Sequence, residues 1–278
     1  MSQVQPLANQ VAIVTGGGRG LGQAYAIAIA KAGAAVAVVS RSEEHLEKTV
    51  ALGARAGGTI RAYPGDVTNP IAVDRIVASV TRDLGPVDLL VNAAGTAEPL
   101  GPLVETDPDA WWKGIETNVR GPYLFARHLL PGMIERGRGR IVNISSGIGT
   151  SAYPYLSAYS VGKTALIRLT ESLAAELEST GVSVFSISPG MVKTAMIDSL
   201  ASHPRAKEFF PWTLKNLAGG GVTPAESSAT LVVRLATGEA DALSGRHISV
   251  FVDLDALIQR ADEAKDRKAL LLRLVGLE

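Results

Sequence analysis

The sequence predicts an α/β fold: a doubly wound parallel sheet of seven strands with helices on both faces. Three observations carry that prediction. Short apolar, β-branched runs alternate with helical apolar spacing in units of about 25 to 35 residues, the length that parallel strands and their crossover helices require. A glycine-rich turn stands directly between the first strand and the first helix. Glycine, small or polar clusters then recur at the carboxyl ends of later strands, where sheets of this kind hold ligands.

Residues 1–10 read as a loose leader. Val11–Val14 is a buried strand by length and β-branching, and it runs into Thr15-Gly16-Gly17-Gly18-Arg19-Gly20-Leu21-Gly22. Helical spacing follows from Leu21 to Ala32 and stops at Gly33. Strand, glycine loop and helix make a phosphate cradle: glycines let the backbone approach a pyrophosphate, and the helix start offers free N–H groups. Ala35–Val39 is the second strand. Ser40-Arg41-Ser42-Glu43 opens the next helix in capping-box form, with Ser40 at the cap and Glu43 three residues on. Thr59–Tyr63 is the third strand and ends at Gly65-Asp66-Val67-Thr68, where Asp66 either caps a loop or reaches an adenine ring. Ile71–Leu84 is an amphipathic helix. Val87–Val91, the fourth strand, ends at Asn92-Ala93-Ala94-Gly95, small enough for a flat cofactor to lie against.

Asp109–Ile134 reads as one long helix carrying Asn118, and Arg140–Ile144 as the fifth strand. The helix Ser157–Ser179 ends at Gly181, and the sixth strand, Val182–Ile187, ends at Ser188-Pro189-Gly190. From Met191 to Gly221 the periodicity breaks into a mixed segment with Met196, Phe209, Phe210 and Trp212. Such a segment beside a crevice is either a substrate lid or an ordinary packing excursion. Pro224–Ala236 is a helix, His247–Val252 the seventh strand, and Leu254–Val275 a charged amphipathic tail helix with a Glu263–Arg267 pair four apart.

The chain has 278 residues, 46% of them hydrophobic and 19% charged, enough for one sizeable core. A net charge of +0 with scattered Lys and Arg argues against nucleic acid or an anionic membrane as the main partner. The absence of cysteine excludes disulfides, thiol nucleophiles and thiolate metal sites. His45, His128, His203 and His247 lie far apart, so no structural zinc is expected. The start of the chain lacks a basic-then-apolar pattern and no uncharged apolar run is long enough to span a membrane, which makes a soluble cytoplasmic protein the expectation.

The chemistry is concentrated between Asn143 and Lys163. Tyr159 and Lys163 sit four apart on a helix and therefore share a face. A phenol with a pKa of about 10 exchanges protons poorly at neutral pH, and an ammonium one turn away pulls it toward the working range. A serine from the preceding strand end, Ser145 or Ser146, can hydrogen-bond the same substrate oxygen. Together they suit moving a proton on and off a carbonyl or alcohol oxygen.

These pieces, in this order, resemble the short-chain dehydrogenase/reductase family in its compact single-domain branch. The likeness covers roughly Gln10 to Val252. It rests on T-G-x-x-x-G-x-G at Thr15 to Gly22, the acidic turn at Asp66, N-A-A-G at Asn92 to Gly95 and the helix asparagine Asn118. It continues with Ser146, Y-x-x-x-K at Tyr159 to Lys163, and Pro189-Gly190. Ser146 is preferred over Ser145 because it stands thirteen residues before Tyr159, the usual family spacing. The resemblance implies a Rossmann-like single domain over 1–278, with a glycine-loop half at 10–95, a catalytic half at 96–190, a lid at 191–222 and a tail helix at 254–275. It also implies hydride transfer from a nicotinamide to a carbonyl carbon. Tyr159 would protonate the developing alkoxide, Ser146 would orient it, and Lys163 would lower the tyrosine pKa and hold the nicotinamide ribose. Asn118 would bend its helix and hold a water linked to Lys163. Gly16, Gly18, Arg19, Gly20, Leu21, Gly22, Asp66, Val67, Asn92, Ala93, Ala94, Gly95, Pro189, Gly190, Val192 and Thr194 would contact the cofactor. Ile148, Tyr153, Tyr155, Met191, Met196 and the lid aromatics would wall an apolar substrate pocket.

The family's frequent V-D-G-G at the last strand is replaced by Val252-Asp253-Leu254-Asp255 and a tail, which leaves the assembly, homodimer or homotetramer, open. Asp109–Ile134 and Ser157–Ser179 are expected to pair with their copies in a neighbour, with Trp112 and Leu173 at the contact. Rival readings are a cofactor-sensing regulator without catalysis, a sugar-nucleotide epimerase or dehydratase, and an alcohol dehydrogenase running toward the ketone. The end of the second strand bears on cofactor choice. NAD-binding chains of this type usually place Asp or Glu there for the ribose 2′-OH. Here Ser40 and Arg41 stand instead, with Arg19 in the glycine loop. NADP(H) is therefore expected, with NAD(H) the alternative.

Overall fold

The computed structural model describes residues 5–273. Val11–Thr15, buried at every position, forms β1. Gly20–Lys31 is α1, Ala35–Ser40 β2, Glu43–Arg55 α2, Thr59–Pro64 β3, Pro70–Leu84 α3 and Leu89–Asn92 β4. Pro108–Ile115 (α4), a π-helical turn at Glu116–Arg120 and Gly121–Glu135 (α5) follow. Gly139–Ile144 is β5, Ser157–Glu176 α6 and Val182–Ser188 β6. Ala195–Ser202 (α7), Ala206–Phe209 (α8) and Pro211–Ala218 (α9) precede Ala225–Thr237 (α10) and His247–Ser249 (β7). Leu254–Gln259 (α11) and Ala261–Asp266 (α12) are the last regular elements among the described residues.

The seven strands pair in parallel in the order β3-β2-β1-β4-β5-β6-β7. That is the doubly wound α/β architecture predicted from the alternation of elements. Strand side chains alternate between two cores. Ala12 and Val14 pack with α1, α10 and Leu46 of α2, while Val11 and Ile13 pack with α3 and α5. A third cluster joins the α7–α9 segment to the start of α6 through Leu156, Leu200, Phe209 and Phe210. No helix among the described residues is long and apolar enough to cross a membrane.

Four expectations need correction. Within the leader, Leu7 is fully buried and its N–H donates to Ala32 O at 2.9 Å, because a lone leucine among polar residues fills the space beside the end of α1. The α2 cap is Ser42, whose hydroxyl accepts from His45 N; Ser40 is held in the sheet opposite Pro64. The long helix is interrupted at Asn118, as described below. The tail forms two short helices, not one, and β7 stops at Ser249. Leu254, Ala261 and Ala264 are all buried, and the chain breaks between the two pieces at Arg260, whose φ of −109° and ψ of 24° leave the helical conformation. Part of the expected tail helix, including Val275, lies outside the described residues. The lid segment, irregular in sequence, is helical in three pieces.

Candidate active site

The strand register brings the motifs together. Thr15 of β1 is level with Asn92 of β4, which is level with Asn143 of β5. The loops that follow each strand open into one cleft of about 1460 Å³. At one end it is lined by the glycine loop, Ser40 and Arg41; at the other by Ser146, Tyr153, Tyr159 and Trp212.

Gly16 carries a φ of +67°, and a Cβ there would come 2.8 Å from Ala94 Cα, so the ends of β1 and β4 can meet only through a glycine. Arg19 precedes α1 without a side-chain cap, which leaves the helix's first N–H groups for an anion from the cleft. Gly18, Gly20, Leu21, Gly22, Ala93, Ala94, Gly95, Pro189, Gly190, Val192 and Thr194 all line the cleft, as does Val67. Asn92 does not: it is buried beneath, donating to Asn143 Oδ1 at 2.8 Å. Asp66 caps its loop and also faces the cleft. Its Oδ1 accepts from Thr68 N and Thr68 Oγ1, and the residue lines the cleft. Burial works against its charge, but the Thr68 bonds and the Arg41 and Lys113 charges hold its pKa below the usual value.

Ser146 extends from β5, and its hydroxyl accepts from Ile148 N at 3.2 Å. α6 starts where Trp111 Nε1 donates to Ser157 Oγ at 3.0 Å, which ties it to α4. Lys163 is buried, and its Nζ donates to Ile144 O at 2.7 Å, while Ser145 Oγ donates to Lys163 O at 2.9 Å. The lysine is thus held to the end of β5 by both side chain and backbone. Its Nζ lies 5.5 Å from the centre of the Tyr159 ring. Burial pushes the Tyr159 pKa up, and the Ser146 hydroxyl pulls it back. Burial also pushes the Lys163 ammonium down to about 8. The expected lowering of the phenol by Lys163 does not appear among the causes acting on it: desolvation moves both groups toward their neutral forms.

Asn118 is fully buried and does not line the cleft. Its Nδ2 donates to Gly114 O and Thr96 O, and its Oδ1 accepts from Thr96 N. A side chain bonded into its own helix's carbonyl ladder widens the turn, which accounts for the π-helical Glu116–Arg120. Gly95 lies between Asn118 Oδ1 and Lys163 Nζ, 2.9 Å and 3.3 Å from where its Cβ would be.

At the far end, Ile148, Tyr153, Met191 and Met196 line the cleft, but Tyr155 does not. Its backbone has a φ of +65°, and its ring stacks on Phe209 at 4.2 Å. Of the lid aromatics only Trp212 faces the cleft; Phe209 and Phe210 are buried behind it. Sequence reasoning missed several wall residues. Asp109, Lys113, Glu116 and Thr117 were legible as one stripe, since they recur at helical spacing. Ser42, His45, Asn216 and Phe251 carried no local signal.

A helix-wrapped parallel sheet with a glycine-loop cleft and a tyrosine facing it one turn from a buried lysine defines a nucleotide-dependent α/β enzyme. The sequence profile described as short chain dehydrogenase matches residues 10–205, and the chain belongs to that family; it is an oxidoreductase. A short chain dehydrogenase of Pseudocercospora fijiensis is 38% identical over 268 residues, covering 92% of this chain and 85% of the relative. Among solved structures, a variant of actinorhodin polyketide ketoreductase with NADPH superposes with a TM-score of 0.81 at 32% identity, over 87% of this chain and 95% of that one. NAD+-bound xylitol dehydrogenase also superposes with a TM-score of 0.81, at 28% identity, over 87% and 98%.

The buried lysine has a measurable consequence. An unfolded chain keeps the Lys163 proton up to its ordinary value of 10.5, whereas the folded chain releases it from about 8. Between those values the unfolded state binds more protons, so raising the pH favours folding through this group, by at most about 3 kcal/mol. The melting temperature of wild type relative to Lys163→Met is expected to rise between pH 7.5 and 9.5, measured without cofactor. A constant difference across that window contradicts it.

Proposed function

We propose that this chain is an NADP(H)-dependent oxidoreductase interconverting a ketone or aldehyde and an alcohol. The carrying observation is one cleft with Ser146, Tyr159 and Lys163 at one end and Arg19, Ser40 and Arg41 at the other. The glycine loop between them lines the cleft at the start of α1, where backbone N–H groups suit the pyrophosphate of a dinucleotide. When bound, the nicotinamide supplies or accepts the hydride. Tyr159 gives a proton to the substrate oxygen during reduction and removes it during oxidation. Ser146 donates a hydrogen bond to that oxygen and fixes its position. Lys163 spends one of its three donors on Ile144 O and keeps the others for a ribose hydroxyl. Asn118 holds Thr96 and the widened turn beside Lys163 and so acts on position. The substrate end, walled by Ile148, Tyr153, Met191, Met196 and Trp212, suits a bulky apolar carbonyl compound.

The preference for NADP(H) rests on the end of β2. No carboxylate from β2 or the start of α2 lines the cleft: Glu43 and Glu44 lie outside the lining, and Glu44 is paired with Lys48 at 2.8 Å, while Asp66, from the end of β3, lines the wall within reach of the Arg41 charge. Arg41 and Arg19 do line it. The likeness to NAD+-bound xylitol dehydrogenase keeps NAD(H) as the second reading. Assembly through the α4–α6 face is part of the proposal, because Trp112, Tyr123 and Val161 are 62%, 48% and 49% exposed there. Leu173 is partly buried against the chain's own core and is not free for that contact.

Three outcomes follow. Tyr159→Phe keeps the ring and loses the proton donor, so cofactor still binds while turnover falls by a factor on the order of 10² or more; near wild-type turnover rules out the assigned role. One charge-assisted phosphate contact contributes roughly 1.5–3 kcal/mol, so kcat/KM with NADPH should exceed that with NADH at least about tenfold, and Arg41→Ala should shrink the ratio. Equal use of NADH by wild type refutes the NADP(H) assignment. Light scattering at micromolar concentration should give a mass of two or more chains, and a monomer refutes the assembly.

A further inference from the structure

The cleft wall at the end of β2 contains one ionisable side chain that the proposed reaction does not use. His45 lies in the first turn of α2 and lines the cleft together with Arg19, Ser40, Arg41 and Ser42. Its position is fixed from two sides. Its N–H donates to Ser42 Oγ at 3.3 Å, and its carbonyl accepts from Thr49 Oγ1 at 3.1 Å. Thr49 Oγ1 also lies 2.9 Å from Gly17 O, which ties this turn of α2 to the glycine loop. The stem of the histidine presses on that loop: a Cβ at Gly18 would come 2.9 Å from both His45 Cβ and Ser40 Oγ. The residue is partly buried, and among the described residues nothing hydrogen-bonds its ring.

We infer that His45 is a third recognition group for the 2′-phosphate of the cofactor, and that its protonation makes the preference for the phosphorylated cofactor grow as pH falls. This rests on the NADP(H) reading above. The charged groups of this wall are Arg19 from the glycine loop, Arg41 from the end of β2, Asp66 from the end of β3 in the field of Arg41, and Glu43 and Glu44 from the histidine's own helix, with Glu44 engaged by Lys48. Gln23 and Thr49, which also meet here, are neutral. A phosphate carrying about −1.5 to −2 charges attracts a proton to an imidazole beside it, so ligand binding and proton uptake favour each other. A 2′-hydroxyl offers no such charge, and the effect is confined to the phosphorylated cofactor.

The test uses the intact protein and two fragments that differ only in the 2′-phosphate: 2′,5′-ADP and 5′-AMP. Their dissociation constants are measured by calorimetry at pH 6.5 and 8.5 for wild type, His45→Asn and His45→Lys. The phosphate's own titration is common to all three proteins, so differences between them report the side chain. The Asn variant should bind 2′,5′-ADP about tenfold more weakly than wild type at pH 6.5, the effect of one charge-assisted hydrogen bond. At pH 8.5 the gap should shrink to less than about twofold, with 5′-AMP affinity unchanged throughout. The Lys variant, with a cation at both values, should bind 2′,5′-ADP tightly at both and lose the difference in pH response. An Asn variant with the pH response of wild type overturns the role of His45 and leaves the NADP(H) reading standing. A wild type that binds the two fragments equally at both pH values overturns both.

Discussion

A row of polar side chains crosses the sheet at one level, and the cleft exists because of it. Thr15, Asn92, Asn143 and Ser186 are register partners on β1, β4, β5 and β6, and all are buried. Polar groups at that depth need partners. Asn92 donates to Asn143, Asn143 to Thr170 of α6, and Thr170 to Leu166 O. Thr15 Oγ1 accepts from Ala93 N and Ala94 N, and Ser186 Oγ meets His247 Nδ1 at 2.9 Å. A slip of one residue in any pair would break these bonds and reverse every side chain on that strand. The loops bearing Gly16, Ala93, Ser146 and Pro189 leave just beyond this row and must emerge together.

The same logic extends into α6. Thr170 anchors the helix to the row, and one to two turns earlier Lys163 is fastened to Ile144 and Ser145. These bonds fix both the rotation and the height of the helix, and with them the place of Tyr159. The cost is a buried ammonium and a partly buried phenol. Desolvation moves each toward its neutral form: the ammonium falls to about 8 while the phenol rises above its ordinary value, so two groups that start nearly equal in proton affinity are drawn apart, with the proton held on the phenol.

The fold was legible because strands buried on both faces leave apolar runs, and because glycine and small-residue clusters mark the strand ends. What failed was decided by tertiary contact. Ser40 and Ser42 both fit a capping pattern, but pairing with β3 keeps Ser40 extended and hands the cap to Ser42. Asn118 reads as one polar residue in a helix; only its bonds to Thr96 and Gly114 reveal the widened turn. Tyr155 belongs to an aromatic run beside the site, yet a left-handed backbone sends its ring to Phe209. Ser146, Tyr159 and Lys163 were legible because their spacing is local, whereas His45 and Phe251 join the wall from elements that only the fold brings near.

The two margins of the sheet are finished differently. β3 is guarded by its own composition: Arg61 is exposed, and Pro64 at its end has no N–H to offer. β7 is short, and the returning chain seals it: His247 N donates to Leu270 O at 2.9 Å, and Leu272 N and O bond Glu171 and Arg168 on α6. The segment that departs from the family's usual ending thus works as a hem. During synthesis the last strand leaves the ribosome only some twenty residues ahead of its cover, so its open margin meets other nascent chains briefly. A chain cut short after Phe251 would keep every residue of the cleft and still carry a raw edge.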